Sequence, residues 1–225
     1  MEITMKLAIS AIIKFILGIV LVGALLFLPA GSLGYVNGWL FMGLLFVPML
    51  ILGTVLIFKS PSLLEKRLNA GERERAQRGV VAAAGLLFVG GFAVAGLDYR
   101  FGWSRVPLWV VVTASAVLLV SYALYAEVMR ENAYLSRTVE VQKGQKVVDT
   151  GLYGIVRHPM YAVTVWLFLS IPLVLGSWWS LLCFAPYVIV IAVRIVNEER
   201  VLESGLEGYS EYKKRVKYRI LPFVW

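Results

Sequence analysis

The chain is poor in the side chains that most enzymes use for chemistry. Its 225 residues include one histidine and one cysteine, and only 16% are charged. A lone cysteine, Cys183, provides no disulfide framework and no thiolate cluster, and one histidine beside it argues against a zinc site. No glycine-rich loop runs into Lys-Ser or Lys-Thr, so the phosphate cradle of nucleotide hydrolases is missing. A Ser-His-Asp set is missing too, since Asp149, the acid near His158, has no signature spacing to it. There is no repeat with a period of about 20–50 residues and no low-complexity linker.

What the chain has instead is hydrocarbon. It is 60% apolar with a mean hydropathy of +0.78, which excludes an ordinary soluble domain. Apolar runs fill residues 8–28, 39–58, 80–97, 106–126, 161–175 and 178–195. Most approach the roughly 20 residues a helix needs to cross about 30 Å of hydrocarbon. The fifth is short and holds Pro172, so it reads as a tilted or incomplete span, paired with the sixth as a hairpin around Gly176 and Ser177. The fold expected is an all-α polytopic integral membrane protein with about six transmembrane helices. The first run is longer than a signal-peptide core, and Pro29-Ala30-Gly31 is a poor cleavage site, so it is read as a retained span.

Charge fixes the expected orientation. The net charge is +8, and nineteen of the twenty-two lysines and arginines fall on one side of this layout. They include Lys59, Lys66, Arg67, Arg73, Arg75 and Arg78 in the 59–79 loop, and Arg130, Arg137, Lys143, Lys146 and Arg157 in the 127–158 segment. Arg100 and Arg105 fall on the other side, and Lys14 lies inside the first run. This bias places both termini in the cytoplasm. The positive charge therefore reads as topology and contact with lipid headgroups, with no nucleic-acid partner, because no basic stripe lies away from the membrane-flanking loops.

By composition the chain divides into a four-span membrane anchor, 1–126, and a region 127–225 that carries the polar residues. In the anchor, Ser60 to Arg67 reads as a short interfacial helix. In the second region, Lys143-Gly144-Gln145 signals a turn. The tail is expected to be helical as far as Val216, with Tyr209 and Tyr212 three apart on one face as an interface anchor.

Two polar elements stand out here. Arg157-His158-Pro159-Met160-Tyr161 opens the fifth run, with Pro159 suited to a first helical turn, where its missing N–H costs nothing. Arg194 and Glu198 stand four apart, near neighbours on one helical face, and Glu199 adds a second acid at the end of the sixth run. Ionisable groups at the edge of hydrocarbon are costly and usually serve a site. A cytoplasm-facing pocket with one acid pair and one or two arginines suits transfer of a small group from a soluble cofactor to a lipophilic acceptor. Methyl transfer from a sulfonium is one such transfer: it demands little acid–base help and needs an aligned nucleophile and water exclusion.

The joint pattern resembles a known family. Gly144 to Tyr153, Val156 to Tyr161, Arg194 with Glu198-Glu199 and Leu202, and Tyr209 with Tyr212 are similar to the isoprenylcysteine carboxyl methyltransferase family and the related phospholipid methyltransferases. The resemblance covers about residues 130–225, and length and composition look closest to its prokaryotic members. It implies S-adenosylmethionine bound by Gln142, Gln145, Lys146, Val147, Val148, Tyr153, His158, Pro159, Met160, Tyr161, Glu198 and Glu199. It also implies that Arg194, with Arg157 as a second candidate, holds the polar end of a lipophilic or prenylated substrate, and that carboxyl O-methylation is the reaction. In this scheme His158 is a cofactor contact and needs no role as a base. Where the family commonly has Phe-Gly ahead of the first tail tyrosine, this chain has Gly205-Leu206. Two other readings compete. One is an NADPH-dependent sterol-type double-bond reductase, whose Arg-His-x-Asn-Tyr differs from Arg-His-Pro-Met-Tyr. The other is a non-enzymatic lipid binder or transporter, for which midplane charge and repeated halves are expected and are not found.

Overall fold

A computed structural model describes residues 2–68, 75–136 and 139–225; Arg73 and Arg137, counted above on the basic side, lie outside them. Every regular element among the described residues is helical. The long helices are α1 (Glu2–Ala30), α2 (Val36–Lys59), α4 (Arg75–Phe101) and α5 (Leu108–Glu131), with the short α3 (Pro61–Leu68) after α2. The carboxyl-terminal part follows with α6 (Pro159–Val174), α7 (Trp178–Phe184), α8 (Tyr187–Gly205) and α9 (Tyr209–Arg215).

Five helical stretches among the described residues are long and apolar enough to cross a bilayer: Lys6–Ala30, Val36–Lys59, Gln77–Phe101, Leu108–Glu131 and Trp178–Gly205. The last is α7 and α8 in near continuity, because the intervening Ala185 and Pro186 keep helical dihedral angles. Helix α6 has 16 residues. At 1.5 Å per residue it rises about 24 Å, short of the roughly 30 Å of hydrocarbon. The layout of about six spans therefore resolves into five full-length stretches and one short apolar helix. The chain is an all-α, multi-pass integral membrane protein.

The bundle closes around α4, which packs against α1, α7 and α8, while α5 packs against α6. Phe88 of α4 meets Phe168, Phe184 and Tyr187 edge-on, a geometry that suits the aromatic quadrupole. At Gly96 a Cβ would come within 2.5 Å of the Leu26 carbonyl oxygen, so only glycine permits this crossing of α1 and α4. Ile12, Ile16, Val20 and Leu28 of α1 and Phe58 of α2 remain exposed, as lipid-facing side chains do. Lys14, unexplained by its apolar run, donates to the Leu68 carbonyl at the end of α3 over 2.8 Å. Helix α3 confirms the short helix expected after Ser60 and buries Leu63 and Leu64.

The tail departs from expectation. Helix α8 ends at Gly205, Leu206 takes an extended conformation, and a new helix starts at Tyr209. The break is set by packing: Leu206 turns inward to join Tyr209, Tyr212 and Val216 against Val141, Val147 and Leu202. A continuous helix to Val216 would carry these apolar groups away from that contact.

Candidate functional site

The walls of the site begin at the end of α5. Asn132 caps the helix, donates from Nδ2 to the Tyr153 hydroxyl over 2.9 Å, and accepts from the Tyr134 N–H at Oδ1 over 3.0 Å. Glu131 accepts the Leu152 N–H at 3.1 Å, which pins the 3-10 turn Gly151–Gly154. Gly151 has φ +51°, and a Cβ there would lie 1.4 Å from Glu131 Oε1, so both the dihedral angle and the close approach require glycine. Ahead of this turn lies the expected Lys143–Gln145 turn, with the Gln145 N–H donating to the Gln142 carbonyl over 3.0 Å.

The Arg157–His158 peptide is strapped to the tail. The N–H groups of Arg157 and His158 donate to the carbonyls of Tyr218 and Arg219 at 2.9 and 2.8 Å. Arg157 Nη1 donates to the carbonyls of Val216 and Lys217 at 2.7 and 2.8 Å, and its Nε donates to Glu199 Oε1 at 2.8 Å. Arg219 reaches Glu199 Oε2 over 3.0 Å, and His158 Nε2 lies 3.3 Å from Oε1. The Arg157, His158 and Glu199 side chains are each only 4% exposed. A carboxylate this deep is tolerated because several donors converge on it, offsetting its lost hydration.

One residue earlier on α8 the environment changes. Arg194 Nε donates to the Tyr161 hydroxyl over 2.8 Å, and that hydroxyl donates in turn to Glu198 Oε2. Tyr161, from the first turn of α6, is buried and so bridges the i,i+4 pair of α8. From α4, Gln77 donates to the Arg194 carbonyl over 3.3 Å.

These elements enclose a recess of about 830 Å³, counted to its open mouth. Of the residues singled out from sequence, Gln145, Lys146, Val147, Val148 and Tyr153 line one wall. Arg157, His158, Met160 and Tyr161 line the floor, and Arg194 and Glu198 line the α8 side. Gln142, Pro159 and Glu199 do not line it. Gln142 instead shapes the loop, donating from Nε2 to the Tyr134 carbonyl over 2.6 Å and from its N–H to Gln145 Oε1 over 2.9 Å. Pro159 is the first residue of α6, and Glu199 is occupied by its arginines.

The recess also takes in Asn132, Tyr134, Ser136, Leu202, Tyr209 and Tyr212, none of which sequence reasoning placed in the site. The three-residue spacing of Tyr209 and Tyr212 was visible, but it fits an interface anchor equally well. Burial raises the hydroxyl pKa of Tyr153, Tyr209 and Tyr212 far above the usual tyrosine range, so all three stay neutral. Tyr212 uses its proton on the Tyr153 carbonyl at 2.7 Å. The buried Tyr209 hydroxyl has no hydrogen-bond partner among the described residues. No cluster of three or more His, Cys, Asp or Glu that could hold a metal ion occurs among them either.

The helical membrane scaffold thus carries a polar recess where α5, α6, α8 and the tail converge. Residues 108–207 are similar to the phospholipid methyltransferase family. The match runs from the start of α5 through α8 and stops before Tyr209. The chain is also 32% identical over 99 residues to a Delta(14)-sterol reductase of Mus musculus, covering 39% of this chain and 22% of that protein. The chain thus spans about a fifth of the length of this curated relative.

Proposed function

We propose that the protein is an S-adenosylmethionine-dependent methyltransferase that modifies the polar end of a lipophilic acceptor at the cytoplasmic face of the membrane. The observation that carries this reading is the pairing of Arg194 with Glu198 through Tyr161 on the wall of a recess in the family-matched region. The acid suits the positive charge of the donor, and the guanidinium suits an anionic acceptor such as a carboxylate. The basic loops support the cytoplasmic orientation. In this scheme residues 1–126 anchor the chain, and 127–225 bind donor and acceptor.

The residues present fit the donor. The neutral Tyr209 hydroxyl is a buried group in want of a partner, and Glu198 faces a recess whose other lining includes Val147, Val148 and Met160. When bound, S-adenosylmethionine supplies a methyl group that leaves its sulfur as an acceptor lone pair bonds to the methyl carbon. Glu198 and Tyr209 would hold its polar groups, with Tyr153 and His158 beside them. Arg194 orients the acceptor, and the apolar wall keeps water from competing. A carboxylate acceptor has no proton to lose, so no base is required and His158 can remain beside Glu199.

The sterol reductase match supports a second reading, an NADPH-dependent reductase. Such a cofactor brings a diphosphate and a further phosphate. Arg157 is engaged by Glu199 and two carbonyls, and the other lysine and arginine side chains in the recess lining are Lys146 and Arg194. The charge supply therefore favours the methyl donor. The test is thermal unfolding of the detergent-solubilised chain with S-adenosylhomocysteine or NADPH. Stabilisation by S-adenosylhomocysteine is expected; stabilisation by NADPH alone overturns the proposal.

A further inference from the structure

The Tyr161 hydroxyl does two jobs with one oxygen. It accepts from Arg194 Nε at 2.8 Å and donates its only proton to Glu198. The guanidinium carbon also lies 6.0 Å from the phenol ring centroid, and the His158 ring centroid lies 5.8 Å from it. The ring is fixed further by its own backbone, whose N–H donates to the His158 carbonyl over 3.1 Å. Its hydroxyl therefore has little freedom to swing between partners.

We propose that Tyr161 is a positioning residue that couples the two binding contacts on α8, so that the hold of Glu198 on the methyl donor depends on Arg194. This rests on the methyl-donor reading above. The physical reason is polarisation along a chain of hydrogen bonds. A cationic N–H on the phenol oxygen makes the phenol a stronger donor to the carboxylate, and a carboxylate below makes the oxygen a better acceptor for the cation. The same chain fixes the guanidinium through Nε and sets the plane in which its terminal nitrogens meet an acceptor. The carboxylate is fixed through Oε2. Neither α8 residue is set by its own helix alone, because long side chains at i and i+4 on an open helix face sample several rotamers and gain little from pairing. The residue that sets them comes from α6, which is why the arrangement survives only when α6 and α8 are packed together.

The test is a double-mutant cycle read by S-adenosylhomocysteine affinity, using calorimetry on the full chain in detergent. Tyr161→Phe keeps the ring and removes both bonds, and it weakens binding about tenfold, the loss expected for a charge-assisted hydrogen bond. Arg194→Met weakens binding about threefold or more in the parent chain and adds nothing in the Tyr161→Phe background, because the connection is already cut. Equal losses from Arg194→Met in both backgrounds overturn the coupling, as does an unchanged affinity in Tyr161→Phe. A purely structural tyrosine would lower the melting temperature and leave the losses additive. If Tyr161→Phe gives no cooperative melt, Arg194→Lys decides. Lysine keeps the charge but not the planar fork, so it behaves like methionine if the phenol must be oriented. Affinity restored to the parent value by lysine overturns the proposal. If the parent chain itself does not bind S-adenosylhomocysteine, the methyl-donor reading fails first and takes this inference with it. Binding with additive losses defeats the inference alone.

Discussion

At the end of the bundle away from the basic loops, Asp98 of α4 is buried and accepts from the Ser104 N–H at 2.7 Å, the Ser104 hydroxyl at 2.6 Å and the Ser177 hydroxyl. Ser177 in turn caps α7 by accepting from the Ser180 N–H. At the basic end, Glu199 is saturated in the same way by Arg157 and Arg219, while Glu198, one residue earlier, lines an open recess beside an unpartnered tyrosine hydroxyl. The comparison separates two uses of buried polarity. Where both carboxylate oxygens are engaged by protein donors, the carboxylate ties elements together. Where donors and acceptors are left over next to empty space, a ligand can complete the set.

The largest effect should come from the closed ionic cluster. Glu199→Leu removes the common partner of Arg157 and Arg219 and leaves their charges stranded. It should destabilise the chain by about 3–5 kcal/mol, seen in denaturant unfolding in mild detergent. A loss below about 1 kcal/mol would show that water replaces the carboxylate and that the cluster is not closed. The Asp98 end should respond less. Asp98→Ala strands three neutral donors and costs about 1–3 kcal/mol, with S-adenosylhomocysteine affinity unchanged. A change in affinity would break the separation between the two ends. The smallest effect on stability belongs to Tyr209→Phe, within about 0.5 kcal/mol, because the hydroxyl bonds to nothing among the described residues. That substitution should nevertheless weaken S-adenosylhomocysteine binding by about fivefold, the worth of one neutral hydrogen bond. Unchanged affinity would mean the orphan hydroxyl serves neither fold nor ligand.

Much of the scaffold could be read locally. The apolar runs located the long helices, though α8 continues to Gly205, beyond the end of the sixth run; Pro159 marked the start of α6, and Gly176 with Ser177 marked the hairpin. The short α3 after Ser60 was legible from a Ser-Pro start followed by mixed charge. Gln142, Pro159 and Glu199, which the resemblance implies as cofactor contacts, lie outside the recess lining, because neighbours in sequence can point in different directions. A step of one residue on a helix turns a side chain by about 100°, and this alone sends Glu198 to the recess and Glu199 to the arginines. The tail was misread for a similar reason. Its composition suits an interface helix, and the break at Leu206 comes from apolar contacts with Val141 and Val147, some sixty residues away.

The sequence by itself determined a membrane protein of helices with a strong charge asymmetry, and it located Arg157-His158 and Arg194-Glu198 as polar groups at membrane margins. Those properties follow from hydrophobic run length and from the cost of burying charge, which act within one segment. Only the tertiary structure decided which polar groups are spent on each other. Tyr161 finds Glu198 across 37 positions, Arg157 finds Glu199 across 42, and Tyr212 finds the Tyr153 carbonyl across 59. Such partners are chosen by helix packing and by the need to satisfy every buried donor and acceptor, a condition on the whole fold rather than on any stretch of it.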